Sequence, residues 1–344
     1  MGAMRLSIVL LSMVTGLLAQ SIQPIASPTN ESLRGLAFVS PATIWASGTH
    51  GTYLRSSDAG QHWTAAKVPG AEALDFRDVE AISGDGVYLL SAGPGDQSRI
   101  YKTTDAGKHW SLQFTNTDPT GFYDCMAFWD ADHGIALGDP VGGRFELLTT
   151  TDGGAHWTPL PVPSRPQALP NEGAFAASGS CIAVHGDSDV WFATGGSGAR
   201  VFRSADRGKT WSVAETPMAH GPATTGIFSI SFRNAREGVV AGGDYQHPDA
   251  DGENLAVTND GGATWKPLSV HPQFYFSAVT YIDPNRDEVL AVGSARALRV
   301  DFGQQKILSS EPVSMNAVTR TQAGEAIAVG AKGQIVRLIS AEKP

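Results

Sequence analysis

The residues of this sequence best equipped for chemistry are carboxylates, and they fall into two sets. One set recurs. Asp58, Asp105, Asp152, Asp206 and Asp260 each sit in a Ser/Thr-x-Asp-x-Gly-x-x-Trp pattern and advance by 47, 47, 54 and 54 residues. The other set, Asp124, Asp139, Glu172 and Asp244, lies outside that pattern. Two carboxylates flanking a sugar could act as general acid and base, or as acid and nucleophile, when about 5–5.5 Å or about 6.5–9.5 Å apart. The recurring aspartates have a different expected task. A short carboxylate in a turn folds back onto backbone N–H groups, as Asx-turns do. Glycine two residues later permits positive φ, and the tryptophan offers a broad apolar face for packing. These five aspartates are therefore expected to hold hairpins, not to transfer protons.

The elements that must position these groups are short strands. A period near 50 residues fits one four-stranded propeller blade. Each pattern is preceded by two alternating runs. The first runs open at Arg34, Arg77, Tyr123, Gly179, Phe228, Phe276 and Met315, and the second end at Gly48, Gly93, Gly138, Gly195, Gly243, Gly293 and Gly330. Period-2 alternation bounded by glycine marks strands. Seven such pairs predict an all-β, seven-bladed β-propeller with four-stranded blades, or six blades if the last run is only a tail. The last blade lacks an outer strand. Residues 20–27, where Ile22 and Ile25 alternate with polar residues, are expected to complete it and close the ring. The Pro-rich stretch from Pro161 to Pro170 and the stretch from Gly243 to Glu253 read as surface insertions.

Ligand sites of such a ring form at the mouth of the central channel. The strand starts and turns on that face offer Arg34, His50, Arg77, Asp78, Tyr123, Tyr245, Arg296 and Lys332 as binding groups, beside the four unpatterned carboxylates. The competing reading is a solvated mouth with local ion pairs.

Composition excludes several classes. Lys plus Arg is 25 against 34 for Asp plus Glu, a net charge of −9, which argues against a nucleic-acid or anionic-membrane partner. Arg5, an apolar run from Leu6 to Leu18 and Ala19-Gln20 read as a secretory signal peptide over residues 1–19, with an uncleaved N-terminal anchor as the alternative. The run is short for a membrane span. A single propeller domain then covers 20–344, exported to the periplasm or secreted, and expected to be a monomer. The two cysteines, Cys125 and Cys181, occupy corresponding inner-strand positions in neighbouring blades. They are either a disulfide, which an exported location permits, or two buried thiols. No His, Cys, Asp and Glu combination has metal-ligand spacing, and no dinucleotide or haem-attachment motif occurs, so no metal or cofactor is expected.

The repeated hairpins, the Gly-Thr-His50-Gly turn, the Leu-Gly-Asp139-Pro-Val-Gly-Gly stretch and Gly-Gly-Asp244-Tyr together resemble exported propellers of the photosystem II stability/assembly factor family. That family lies within the BNR/Asp-box superfamily, which also holds sialidases and xyloglucan-acting glycosidases. The resemblance implies a non-catalytic propeller holding a protein or peptide on its channel face. The wider superfamily implies the alternative, a glycoside hydrolase with a glycan ligand. The Arg-Ile-Pro motif of sialidases is absent from this sequence, and nothing in it supports an oxidoreductase.

Overall fold

The structure, a computed structural model, describes residues 21–321 and 324–339; the signal-peptide reading of residues 1–19 lies outside them. Seven antiparallel sheets stand around one axis. Blade 1 runs Leu33–Phe38, Ile44–Gly48, Thr52–Ser56 and Thr64–Lys67 from the axis outward, and blades 2 to 6 repeat this order. Blade 7 takes Ala317–Arg320, Glu325–Val329 and Ile335–Ile339 from the C-terminal end and Ser21–Ile25 from the N-terminal end. Ile22 lies opposite Leu338 and Ile25 opposite Ile335, so the ring closes on seven blades as the sequence predicts. Among the described residues the helices are three single 3₁₀ turns, and none is long and apolar enough to cross a membrane.

Burial follows distance from the axis. The second strands of blades 1, 2 and 6 are buried at every position, because each blade is sandwiched between two neighbours. The outer strand Thr64–Lys67 is exposed throughout. The core is therefore a series of apolar layers between blades; one joins Ile44, Leu54 and Trp63 of blade 1 to Ile327 and Val329 of blade 7.

The recurring hairpins explain how these layers form. In blade 1, Gly60 N–H donates to Ser56 Oγ at 2.8 Å, His62 N–H donates to Asp58 Oδ1 at 2.9 Å, and His62 Nδ1 meets Asp58 Oδ2 at 2.6 Å. Where the histidine is replaced, Thr210 and Thr264 donate their hydroxyls to Asp206 and Asp260 at the same 2.6 Å. The turn delivers its tryptophan into the layer shared with the preceding blade: Trp110 packs on Trp45 and Tyr53 of blade 1, while Trp157 and Trp265 meet Phe128 and Phe232 of their own blades in layers that also hold Tyr88 of blade 2 and Trp191 of blade 4. Tyr88 of blade 2 donates to Gly153 O in the blade 3 turn at 2.6 Å, and a Cβ added at Gly154 would lie 2.9 Å from its ring. Only glycine admits that approach. Blade 6 uses a plain turn at Phe302–Gln305 instead.

Polar residues at the inner-strand starts stitch blade to blade. Asp78 Oδ2 accepts Met126 N–H at 2.7 Å, Ser229 Oγ accepts Val279 N–H at 3.0 Å, Ser277 Oγ donates to Asn316 O at 2.7 Å, and Asn316 Nδ2 donates to Leu33 O at 2.8 Å. Cys125 and Cys181 form a disulfide between the inner strands of blades 3 and 4, with Cα atoms 6.1 Å apart.

Candidate functional site

Four inner strands carry a β-bulge at their start. The pairing register skips one residue in blades 1, 2, 3 and 5, and the skipped residues are Arg34, Arg77, Asp124 and Phe228. A bulge re-aims the side chain of its extra residue. All four line a cavity of about 510 Å³ at the channel mouth, together with Asp139, Phe122, Phe175, Tyr245, Tyr275 and Asn316.

The bulges also explain why neighbouring candidates are elsewhere. Strict alternation would put Tyr123 on the side of Cys125 and Ala127; the bulge at Asp124 turns it instead into the layer between blades 2 and 3, away from the mouth, 4% exposed and edge-on to Phe114. Asp78 is buried against blade 3, and burial pushes its carboxyl upward.

One wall of the cavity is a strap. The chain between blades 3 and 4 does not stay on the surface after Pro170; it crosses the mouth before starting blade 4. Glu172 and Gly173 pair with Gly196 and Gly195, and Gly195 pairs with Gly226, which extends blade 5 to six strands. Ala174 N–H donates to Asp139 Oδ1 at 3.0 Å, and Ala176 N–H donates to Asp124. Arg77 Nη1 donates to Ala176 O at 3.0 Å, and Ser178 Oγ donates across the channel to Ser277 O at 2.8 Å. The Phe175 ring stacks on Phe228 with centroids 3.8 Å apart, and Tyr275 meets Phe228 edge-on at 4.8 Å.

Glu172 therefore anchors the strap and does not line the cavity. Its side chain is fully buried; Oε1 accepts Thr194 Oγ1 at 2.6 Å and Arg200 Nε at 2.8 Å, while Oε2 accepts Leu169 N–H at 2.7 Å and Arg200 Nη2. Asp244 organises its own loop, accepting the N–H groups of Gln246 and His247 and the His247 ring. His50 pairs with Glu31 at 2.7 Å on an exposed turn, Arg296 donates to Ser310 Oγ over the Phe274 ring, and Lys332 is exposed on a left-handed turn.

The electrostatics of the mouth are asymmetric. Burial, then the charge of Asp139, pushes Asp124 well above the carboxylate range, and its Oδ2 has no hydrogen-bond partner. Burial also raises Asp139, against the N–H of Ala174. Opposite stand two guanidiniums. Arg77 has Asp75 at 2.6 Å. Among the described residues Arg34 has no ion pair of that kind: its Nε is buried without a hydrogen-bond partner, and desolvation followed by the charge of Arg77 lowers its pKa against the weaker pull of Asp75. Among the described residues no group of three or more His, Cys, Asp or Glu side chains could hold a metal ion.

The sequence pattern did not single out Phe122, Phe175 or Tyr275. The one signal was the lengthened spacing, 54 in place of 47 residues, that surrounds the strap.

Neither a protein-family model nor a curated protein matches this sequence. Solved structures do. A structure described as YCF48 bound to D1 peptide matches with a TM-score of 0.63 at 17% identity, over 93% of this chain and 97% of that one. The structure of U3-55K matches with a TM-score of 0.66 at 14% identity, over 92% of this chain and 98% of that one. The RRP9 WD40 repeats match with a TM-score of 0.64 at 14% identity, over 93% and 97%. At these identities the likeness establishes the fold: the chain is a seven-bladed β-propeller whose structural neighbours include one described with a bound peptide and one described as WD40 repeats.

Proposed function

We propose that this chain is a non-catalytic propeller that binds a segment of a protein partner across its channel mouth, with Arg34 meeting an acidic group of that segment. The observation that carries the reading is the Arg34 guanidinium, which lines the cavity with its Nε buried and without a hydrogen-bond partner among the described residues. Desolvated, repelled by Arg77 and sharing the Asp75 charge that already pairs with Arg77, this cation is under-neutralised, so an arriving carboxylate gains what the free protein lacks. Aromatic rings beside it supply the apolar anchor that interface hot spots use. The neighbouring YCF48 structure holds a peptide, which supports the same mode here.

The finer role follows from the same reading: an assembly-factor-like protein of the BNR/Asp-box group, acting as a monomer outside the cytoplasm. The apolar run after Arg5 and the Cys125–Cys181 disulfide support export, since disulfides persist in oxidising compartments.

The test is binding of acidic peptides to the purified protein, followed by anisotropy. Arg34→Gln is expected to weaken binding by at least about 30-fold, the effect of removing one partner of a buried charge pair worth about 2 kcal/mol. Equal binding by Arg34→Gln overturns the reading.

A second reading rests on Asp124 and Asp139, the two of the four candidate carboxylates that share the cavity. One has a raised pKa and a free oxygen, as a general acid requires. Turnover on a panel of sialosides, xyloglucan and aryl glycosides, abolished in Asp124→Asn or Asp139→Asn, would establish a glycosidase in place of the binding protein.

A further inference from the structure

We propose that residues 172–178 are a tethered peptide ligand, occupying one arm of the channel mouth that a partner segment with an aromatic residue between small ones competes for. The proposal rests on the peptide-binding reading above and names the partner chemistry for the same mouth.

The contacts of the strap are those of a bound peptide. Between its ends it uses backbone groups and a single large side chain. Ala174 N–H and Ala176 N–H go to Asp139 and Asp124, and Ala176 O takes Arg77. The flanking side chains are methyl groups or hydrogen: Gly173, Ala174, Ala176 and Ala177. Phe175 alone is inserted, stacked at 3.8 Å on Phe228 with 10° between the planes. Main-chain hydrogen bonds with one anchored side chain are how extended peptides are recognised.

Beyond Gly173, which with Glu172 pairs into the blade 5 sheet, the strap belongs to no single blade. Its anchors are Arg77 of blade 2, Asp124 and Asp139 of blade 3, Phe228 of blade 5 and Ser277 of blade 6. Outside these residues it is fixed by the Glu172–Arg200 pair and by the start of blade 4. The central part can leave its site while both ends remain held. The receiving groups (the Phe228 face, the two carboxylates and the Arg77 guanidinium) are the ones a partner would use, and Arg34 lines the same cavity.

The experiment empties the subsite in place. Phe175→Ala removes the anchor, and the probe is the synthetic peptide acetyl-Gly-Ala-Phe-Ala-Ala-Ser-amide, followed by calorimetry. The folded variant is expected to bind the peptide at least tenfold more tightly than wild type does, and its Phe→Ala analogue at least tenfold more weakly than the peptide itself. Adding Phe228→Ala is expected to abolish binding. Phe175→Leu, which keeps most of the apolar volume, serves if Phe175→Ala does not fold. No peptide binding by a folded variant, or binding that survives loss of Phe228, overturns the proposal. The probe has no acidic side chain and no free terminus, so its result is independent of the Arg34 test.

Discussion

The buried pair that holds the strap gives the sharpest test of how this molecule is assembled. Arg200→Met removes the guanidinium and keeps much of the apolar stem. Glu172 is then left with Thr194 Oγ1 and Leu169 N–H as donors, its side chain 0% exposed. Breaking a buried pair from one side costs about 3–5 kcal/mol, because a charge is stranded out of water. With about 2.1 cal/mol/K of unfolding entropy per residue, a chain of 344 residues has roughly 0.7 kcal/mol/K, so Tm is expected to fall by about 4–7 °C. The double variant Glu172→Gln/Arg200→Met strands no charge and is expected to recover most of that loss. Calorimetry of the four proteins at pH 7 completes the cycle, and hydrogen exchange at Ala174 and Ala176 reports whether the strap loosens with it. A single variant within 1 °C of wild type, or a double variant as unstable as the sum of the singles, refutes the argument that this pair is a buried, mutually dependent anchor.

Two further outcomes follow from the same physics. The Cys125–Cys181 bond closes a separation of 56 residues, for which loop entropy gives about 4 kcal/mol; Cys125→Ala/Cys181→Ala should lower Tm by about 6 °C, and a change under 1 °C would contradict it. Asp58, Asp105 and Asp152 are drawn down to about 2, first by the backbone N–H of the histidine four residues on and then by its ring. A depressed folded pKa means stability present above the ordinary value of 3.8 and lost as pH falls through about 2, so Tm should drop between pH 4 and 2, and a triple Asp→Asn variant should flatten that drop.

Much of the fold was legible because its chemistry repeats. The hairpin pattern needs Ser or Thr, Asp, Gly and Trp at fixed offsets, and each does the same task five times: Oγ and Oδ1 close the turn, glycine adopts positive φ, and tryptophan enters the layer of the preceding blade. Ring closure was legible because Ile22 and Ile25 alternate in phase with the strand they complete. The site was harder for a specific reason. Period-2 reasoning assigns faces from alternation, and alternation fails where a bulge inserts a residue. Arg34, Arg77 and Asp124 reach the cavity as strand starts, but Tyr123, which the strand-start position also places at the mouth, is turned into the layer between blades 2 and 3 by the bulge beside it. Phe175 carried no pattern at all, because a strap defined by backbone contacts leaves little trace beyond a run of small residues.

Burial, not residue type, divides the aspartates of this chain into their tasks. At the hairpins the carboxylates are in contact with water and surrounded by N–H and hydroxyl donors, which favours the charged form; these are fixed anions that hold turns. At the mouth, Asp124 and Asp139 are removed from water and lie near each other, which favours the neutral form. Raising both carboxylates shifts the charge balance of the cavity lining toward the guanidiniums of Arg34 and Arg77, with Arg77 already paired to Asp75. The same desolvation that makes Asp124 resemble a general acid would, under the proposed binding reading, make the mouth receptive to an anionic group at Arg34. In the glycosidase reading Asp139 would have to act through Oδ2, because Oδ1 accepts Ala174 N–H, and its raised pKa would work against a role as base; the binding reading asks no proton transfer of either carboxylate.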